Sequence, residues 1–384
     1  MVNPIKLYRV GISGSYGGLN LGDEAILQCI ITQLKNSLPV EITVFSRDAQ
    51  ETMRLHQVDR VVAVRRLSRE EIVPDVQRLD LFILGGGGIL FDGEARTFLR
   101  EVAIAHEHGI PVMIYSVGAG PLDDPKTQEL VRDNLNRARL ITVRERSARK
   151  ALEEAGVSKE IIVTSDPALL LQPEAVPANV LETEGVKKRR RLIGISVREP
   201  GMAAPGLKEE SYHSLLANAA DFMVERLDAD IVFIPMERKS LDLQHAHAVM
   251  AQMLKTEHAT VLKGNYTPGQ ILSLMKRFDF AVGMRLHFLI FAALQGVPFV
   301  ALPYAAKVYG FLEDLEIESP PLHLINAGRL IAHIDSLWDN RSSLVAKTEL
   351  LLPALQKRAR HNNTLAVELL LKGRIRKEKL HAAT

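Results

Sequence analysis

The chain has 384 residues, which suits two domains better than one, and its hydrophobic content of 47% is enough to fill their cores. A formal net charge of +2 argues against a nucleic-acid partner, because such proteins usually carry a clear basic excess. The single cysteine, Cys29, excludes an internal disulfide and favours a reducing compartment. Neither a signal-peptide pattern nor an apolar run of roughly 20 residues is visible, so we expect a cytoplasmic protein.

Strands and helices alternate along the first half of the chain. The first predicted strand, Tyr8–Ser13, leads through a glycine-rich loop into an amphipathic helix over Asp23–Leu38. Further strands are predicted at Val40–Phe45, Leu79–Leu84, Pro111–Val117, Leu140–Val143 and Ile161–Thr164, with helices at Glu101–His108 and Ser147–Ala155. Near-continuous apolar strands are typical of parallel sheets buried on both faces. We therefore predict a Rossmann-like domain over residues 1–175.

Residues 176–191 are predicted to link this domain to a second one. The stretch Pro173–Arg191 is rich in Pro, Glu and Val and ends in five consecutive cations, Lys187–Arg191. Such a run is most simply a solvated boundary, with a binding patch as the alternative.

A second alternating series is predicted over residues 192–340. Its strands are Leu192–Val197, Asp230–Ile234, Thr260–Leu262, Phe278–Val282 and Pro298–Leu302, and its helices are Ser211–Arg226, Leu241–Leu254, Pro268–Arg277 and His287–Leu294. A strongly helical stretch, Ser342–Lys372, occupies most of a C-terminal segment over residues 341–384. The pattern predicts an α/β protein with two doubly wound domains facing a cleft, followed by a C-terminal helix.

The end of this last helix, Lys372–Lys379, is basic. Peripheral contact with the anionic inner face of the membrane is one interpretation. A helix end whose cations complement the helix dipole is the simpler one. Exposed sheet edges would also allow a homodimer.

The loop after the first strand contains Gly14, Tyr16, Asn20 and Asp23. Its glycine spacing fits neither the dinucleotide fingerprint nor a P-loop. Because glycines let the backbone approach a ligand closely, we interpret this segment as a ligand loop. A mobile turn, with Asn20 and Asp23 capping the following helix, is the alternative.

A second glycine-rich segment, Gly85–Gly88, follows the strand Leu79–Leu84 and precedes Asp92. Consecutive glycines weaken local structure, so a compensating reason is expected. Backbone amides of Gly86 and Gly87 that face a ligand would supply one. A close crossing of two elements is the alternative.

Cationic residues follow several strands. Arg144 comes directly after Leu140–Val143, and Asp166 follows a later strand in the same way. Arg285 and His287 lie at the start of a helix, and Lys307 follows the next strand. Ligand sites of α/β proteins form at the carboxyl ends of strands, and helix starts favour anions. The second half of the chain therefore predicts an anion site.

These segments together resemble the polysaccharide pyruvyl transferase family, which includes the bacterial cell-wall pyruvyltransferases. The matching segments are Gly14–Glu24 with its Gly22-Asp23-Glu24 ending, Gly85–Gly88, Ser116-Val117-Gly118 with Gly120-Pro121, Val143-Arg144-Glu145, Asp166-Pro167, and Arg285-Leu286-His287 through Gly296-Val297-Pro298 to Lys307. The resemblance extends from about residue 10 to about residue 315. The sequence departs from the family pattern at Met284 and at Glu237, where a histidine is frequent, and the second difference bears on the acceptor.

The resemblance implies a GT-B-like fold and an enzyme that uses phosphoenolpyruvate as co-substrate, with no metal or other cofactor. It implies a catalytic role for His287 and phosphoenolpyruvate binding by Arg144, Arg285 and Lys307. The first domain would then bind the acceptor, a sugar or its nucleotide-linked or lipid-linked precursor. The residues that this interpretation assigns to the acceptor are Gly14, Tyr16, Asn20, Asp23, Gly86, Gly87 and Asp92.

The implied reaction forms a pyruvate ketal on a cell-wall or exopolysaccharide precursor and releases phosphate. A glycosyltransferase that uses a nucleotide sugar is an alternative, since fold does not fix function. A non-catalytic sugar-binding protein is another. No metal-ligand cluster is apparent, because His245 and His247 would lie on different faces of their helix.

Overall fold

The computed structural model describes residues 7–186, 190–199, 208–237 and 241–381, with side chains up to residue 373. The chain divides into two compact units. Among the described residues, unit 1 comprises 7–18, 23–170 and 355–381, and unit 2 comprises 19–22 and 171–354. Both units are α/β with parallel sheets, as the strand patterns predict.

Unit 1 contains a seven-stranded parallel sheet. Its strands are β1 (Tyr8–Ser13), β2 (Val40–Ser46), β3 (Arg60–Ala63), β4 (Leu81–Leu90), β5 (Val112–Ala119), β6 (Leu140–Val143) and β7 (Ile161–Val163), in the order β3-β2-β1-β4-β5-β6-β7. Its helices include α1 (Leu21–Ser37), α2 (Ala49–Leu55), α3 (Arg69–Gln77), α4 (Ala95–Glu107), α5 (Pro125–Leu135) and α6 (Arg146–Glu154). The strand order reverses beside β1, which is the position where doubly wound sheets bind ligands.

Unit 2 contains a five-stranded parallel sheet. After a short helix, α7 (Val180–Thr183), its strands are β8 (Arg191–Ser196), β9 (Ala229–Phe233), β10 (Ala259–Val261), β11 (Phe280–Gly283) and β12 (Phe299–Ala301), in the order β10-β9-β8-β11-β12. Its helices are α8 (Glu209–Leu227), α9 (Leu241–Met250), α10 (Pro268–Met275), α11 (Leu286–Leu294), α12 (Ala306–Asp314) and α13 (Ala327–Asp339). The last helix, α14 (Arg341–His381), contributes its residues from 355 onward to unit 1.

The boundary between the units differs from the predicted linker. Residues 171–186 belong to unit 2, and partly buried carboxylates attach them to its loops. Glu174 accepts a hydrogen bond from the Thr267 hydroxyl at 2.5 Å, and Glu184 accepts one from the backbone amide of Gly264 at 2.8 Å. These carboxylates explain the acidic composition of the segment. Within the cationic run, residues 187–189 lie outside the described residues.

Strand β4 is longer than predicted. It continues through all four glycines to Leu90, and Gly85, Gly87 and Gly88 pair with β5. The glycine segment is therefore part of the sheet rather than a loop after it. The sequence did not predict seven further elements, most of them short or mostly polar: α2, β3, α3, α5, α7, α12 and α13.

Helix α14 is attached to unit 1 by Asn362, whose side chain is buried. Its Oδ1 accepts hydrogen bonds from the hydroxyls of Thr142 at 2.6 Å and Thr164 at 2.9 Å, and its Nδ2 donates to the Ser165 carbonyl at 3.2 Å. One amide therefore connects the helix to β6 and to the end of β7. Among the described residues, no helix combines the length and apolar character needed to cross a membrane. The sequence predicted a basic end for this helix. The side chains beyond residue 373, which make up most of that end, lie outside the part of the chain that the structure describes.

Replacing Asn362 with alanine should lower the free energy of unfolding by about 2 kcal/mol, because buried hydroxyl and carbonyl groups lose their shared partner. Urea denaturation measures this loss. Thr364→Ala is the matched control, since Thr364 is exposed on the same helix. Equal stability of the two variants would contradict the assigned role.

Candidate functional site

A group of cations surrounds Tyr304 in unit 2. The guanidinium carbon of Arg198, which follows β8, lies 4.2 Å from the centroid of the Tyr304 ring. The ammonium nitrogen of Lys307, at the start of α12, lies 5.2 Å from the same centroid. Both distances are within the range of cation–π contacts. Parallel strands thus direct cations from two connections towards one buried ring.

The phenol of Tyr304 responds to these charges. Burial alone would raise its pKa, but Lys307, Arg198 and Arg285 outweigh burial and lower the pKa to about 8. A site that favours the phenolate favours other anions in the same place. The cations around the ring therefore give a positive potential at the carboxyl edge of the unit 2 sheet.

Arg285, between β11 and α11, is held by carboxylates. Its Nε donates to Asp242 Oδ2 at 3.0 Å, and its Nη2 donates to Glu237 Oε2 at 2.7 Å. Asp242 is fully buried and also accepts hydrogen bonds from the backbone amides of Met236 and Glu237. Burial would lower the pKa of Arg285, but the neighbouring carboxylates raise it above its ordinary value. The guanidinium therefore connects the ends of β9 and β11.

His287 lies in the first turn of α11, beside the amides that a helix start leaves unpaired. Its side chain is half-buried, and its Nε2 is shielded from solvent. Gly22 packs directly on the imidazole, because a Cβ at position 22 would overlap Nδ1. The position of the imidazole thus depends on a glycine that is distant in sequence.

The segment of residues 19–22 is attached to unit 2 by its backbone. The amide of Leu21 donates to the Met236 carbonyl at 2.8 Å, and Asn20 forms an antiparallel bridge with Glu237. Asn20 also accepts a hydrogen bond from the Gly22 amide at 3.0 Å, which caps α1. Asn20 therefore has the capping role that the sequence left as an alternative to acceptor binding. Glu237 contacts this segment and Arg285 together.

A cavity of about 260 Å³ lies at the ends of β9 and β10. Its walls are mainly apolar, with polar groups at a few positions; the lining residues are Ile234, Pro235, Leu243, His247, Leu262, Lys263, Asn265 and Ile271. Small-molecule sites commonly combine apolar walls with a few polar groups. His247 thus faces a cavity, whereas His245 Nδ1 is 2.8 Å from His213 Nε2. The described residues contain no group of three side chains that could hold a metal ion.

Arg144 belongs to unit 1, whereas Arg285 and Lys307 belong to unit 2. Its buried guanidinium donates from Nε to Glu145 at 2.8 Å and from Nη1 to Asp166 at 2.9 Å. These carboxylates raise the pKa of Arg144, although burial would lower it. The charge of Arg144 is therefore balanced inside the unit, while its buried Nη2 has no hydrogen-bond partner, so its assignment to phosphoenolpyruvate stays a prediction.

The glycines of β4 make room for neighbouring elements. A Cβ at Gly85 would lie 2.7 Å from the Tyr16 hydroxyl, and one at Gly14 would lie 2.7 Å from the Tyr16 ring. A Cβ at Gly86 would overlap Ile26 of α1. Close crossing of α1 and β4 therefore explains this run better than exposed amides do. Burial, followed by nearby carboxylates, raises the pKa of Tyr16.

Gly87 and Asp92, which were also predicted to bind the acceptor, lie close to other residues of unit 1. A Cβ at Gly87, where φ is +87°, would lie 3.1 Å from Asp23 Oδ1. Asp92 Oδ2 accepts hydrogen bonds from the backbone amides of Asp123 at 2.7 Å and Asp124 at 3.2 Å. Asp92 therefore fixes the loop after β5, and nothing in these contacts identifies an acceptor.

Two site residues were missed by sequence reasoning. Arg198 comes two residues after β8, and Arg144 comes directly after β6. A search for cations that follow strands would therefore have found both. Tyr304 lies three residues before Lys307, but a tyrosine near one lysine in the sequence does not indicate an anion site. Its environment comes from three connections that are far apart in sequence.

Comparisons with known proteins identify the family to which the chain is similar. A model of the polysaccharide pyruvyl transferase family matches residues 20–305. The amylovoran biosynthesis protein AmsJ of Erwinia amylovora is 22% identical over 286 residues, which cover 71% of this chain and 68% of AmsJ.

Solved structures support the GT-B-like fold. The UDP-GlcNAc 2-epimerase from Neisseria meningitidis has a TM-score of 0.63 at 13% identity, covering 95% of this chain and 100% of the epimerase. The S. aureus MnaA structure with UDP has a TM-score of 0.62 at 11% identity, covering 90% of this chain and 91% of MnaA. At these identities the likeness concerns the fold alone.

Replacing Gly22 with alanine should displace the His287 imidazole and destabilise the protein by about 1–3 kcal/mol, because the new methyl group overlaps the ring. Thermal unfolding and the NMR signals of the His287 ring measure these effects. Gly18→Ala is the control, since a Cβ there meets its nearest atoms at 3.7 Å. Unchanged His287 signals in Gly22→Ala would contradict the packing.

Tyrosinate absorbance should appear with a pKa of about 8 in the folded protein and disappear in Tyr304→Phe. Lys307→Met should move this pKa upward, because the ammonium group stabilises the phenolate. Between about pH 8 and pH 10 the unfolded chain binds the proton that the folded protein has released, so the contribution of Tyr304 to stability rises with pH. A titration that is the same in wild type and Tyr304→Phe would exclude this assignment.

Proposed function

Because the chain belongs to the polysaccharide pyruvyl transferase family, we propose that it transfers an enolpyruvyl group from phosphoenolpyruvate to sugar hydroxyls of a polysaccharide precursor. Its family and its similarity to AmsJ support a transferase that acts in polysaccharide biosynthesis. Phosphoenolpyruvate, the ketal product and a cell-wall or exopolysaccharide acceptor are parts of the proposal. In this proposal phosphoenolpyruvate is a co-substrate and no cofactor takes part.

The observation that carries the proposal is the group of cations around Tyr304. Phosphoenolpyruvate has a carboxylate and a phosphate, so its site needs cations that are available to anions. Among the described residues, Lys307 forms no ion pair with a carboxylate, and its ammonium group lies against the Tyr304 ring. Arg198 pairs with Glu199 and still lies over the same ring. We assign anion binding to Lys307 and Arg198.

Arg285 has a different role in this proposal. Its guanidinium is paired with Asp242 and Glu237, so most of its hydrogen-bonding capacity is used inside unit 2. It adds positive potential at Tyr304 and fixes the start of α11. Arg285 therefore positions His287 and supports anion binding without contacting the substrate.

His287 is the proposed general acid. A sugar oxygen attacks C2 of phosphoenolpyruvate, and His287 protonates the methylene carbon, which becomes a methyl group. A second hydroxyl of the sugar then attacks C2 and displaces phosphate, which leaves with its bridging oxygen. Of the two protons that the hydroxyls lose, one ends on the methyl group and the other on His287 or phosphate. An imidazole suits both transfers near neutral pH.

The cavity at the ends of β9 and β10 favours a second candidate. Its apolar walls with His247, Lys263 and Asn265 are compatible with a nucleotide, so a nucleotide-sugar glycosyltransferase is the alternative. The two candidates differ in the donor. A glycosyltransferase consumes a nucleotide sugar and ignores phosphoenolpyruvate.

His287→Ala should lower the rate of phosphate release from phosphoenolpyruvate by about 10²–10⁴-fold, the usual contribution of a general acid. The assay measures phosphate with UDP-sugars and lipid-diphosphate disaccharides as acceptors. His323→Ala, an exposed histidine of the same unit, is the control. Full activity in a folded His287→Ala protein would remove the histidine from the mechanism, and nucleotide-sugar turnover without phosphate release would favour the alternative.

Lys307→Met should weaken phosphoenolpyruvate binding roughly 10–100-fold, because an anion loses a charge-assisted hydrogen bond. Titration calorimetry with phosphoenolpyruvate measures the affinity, and Lys276→Met, at an exposed lysine of unit 2, is the matched control. Equal affinities for the two variants would exclude Lys307 from the site.

A further inference from the structure

Two arginines of unit 1 share one aromatic ring. The guanidinium carbons of Arg47 and Arg65 each lie 5.7 Å from the centroid of the buried Phe98 ring. Neither arginine belongs to the segments that the family resemblance rests on. Like charges that meet at one ring repel each other, so this arrangement is expected where an anion compensates for it.

The pair lies at the ligand-binding edge of the sheet. Arg47 directly follows β2, and Arg65 follows β3 by two residues, so both leave the carboxyl ends of adjacent strands. The glycine-rich loop after β1 borders Arg47, because a Cβ at Gly18 would lie 3.7 Å from Nη1 of Arg47. The loop thus lies close to the guanidinium without crowding it.

Arg47 is partly buried and Arg65 is exposed to solvent. Within the described ranges, neither arginine forms an ion pair, and the buried Nε of Arg47 has no hydrogen-bond partner. Burial and then Arg47 lower the pKa of Arg65, and Glu94 and Glu101 only partly oppose this. A neighbouring arginine shows the contrast. Arg100 donates to the Val64 carbonyl at 2.7 Å and to Glu101 at 2.7 Å, so its hydrogen bonds are made within the protein.

We propose that Arg47 and Arg65 bind the diphosphate group of an acceptor that is carried on a nucleotide or a polyprenyl chain. Two guanidinium groups that follow separate strands match two linked phosphates better than a single anion, since each planar fork can bind its own phosphate. The identity of this ligand as the acceptor rests on the proposed function. The site itself is independent of it, because it involves no residue of unit 2.

Titration calorimetry with inorganic pyrophosphate tests the site, using a protein that carries Lys307→Met so that the cations of unit 2 do not dominate binding. In that background Arg65→Gln, at an exposed side chain, should weaken binding at least about tenfold, and Arg47→Gln with Arg65→Gln should weaken it further. Arg139→Gln, an exposed arginine elsewhere in unit 1, should leave the affinity unchanged. Thermal unfolding confirms that each variant is folded.

Pyrophosphate binding that is equal in the double variant and the Arg139→Gln control would overturn the proposal. So would inorganic phosphate binding as tightly as pyrophosphate. UDP and a short polyprenyl diphosphate then distinguish the carriers, and the one that binds more tightly through Arg65 identifies the source. Pyrophosphate binding through Arg47 and Arg65 without pyruvyl transfer would retain this site and reject the proposed reaction.

Discussion

The buried ion pair between Arg285 and Asp242 is the interaction on which the unit 2 site depends. Asp242 accepts backbone hydrogen bonds from the end of β9 and takes the guanidinium from the end of β11, so one carboxylate sets the distance between two connections. Removing one partner of such a pair usually costs about 3–5 kcal/mol, because the other charge is left buried and unpaired. The segment of residues 19–22 then attaches to the same connection through Met236 and Glu237. The orientation of His287 follows from this arrangement.

The arginines of the protein divide by whether their charge is balanced. Arg144 and Arg285 are buried against carboxylates, and both hold strand ends in place. Arg47, Arg65 and Lys307 lack such partners within the described part of the chain and lie beside aromatic rings. An aromatic ring stabilises a cation weakly and leaves its hydrogen-bonding groups accessible to a ligand. In the functions proposed above, the cations beside aromatic rings are the ones assigned to anions, and Arg198, which pairs with Glu199 and also lies over Tyr304, combines both features.

Much of the architecture could be predicted from the sequence because apolar runs bounded by glycine define buried parallel strands. The structure of the glycine segment of β4 was harder to predict, since glycine permits both an open loop and a tightly packed strand. The packing of Tyr16 and Ile26 against these glycines decides between the two, and both residues lie elsewhere in the sequence. The positions of Arg285, His287 and Lys307 were predicted from strand ends, and the structure brings them to one edge of the unit 2 sheet. Their partners, Asp242 and Gly22, could not be predicted, because those contacts arise only when distant segments fold together.

The division of the chain has a consequence for its synthesis. Unit 2 includes residues 19–22, and unit 1 includes the chain from residue 355 onward, so neither unit is one continuous stretch. A ribosome completes the seven strands of unit 1 long before it releases Asn362, whose amide satisfies Thr142 and Thr164. Unit 1 therefore reaches its final hydrogen-bonding state only after Asn362 has left the ribosome. A cut after residue 170 would separate unit 1 from its residues 355–381 and unit 2 from residues 19–22. Neither unit can therefore be produced in full from one of the two fragments.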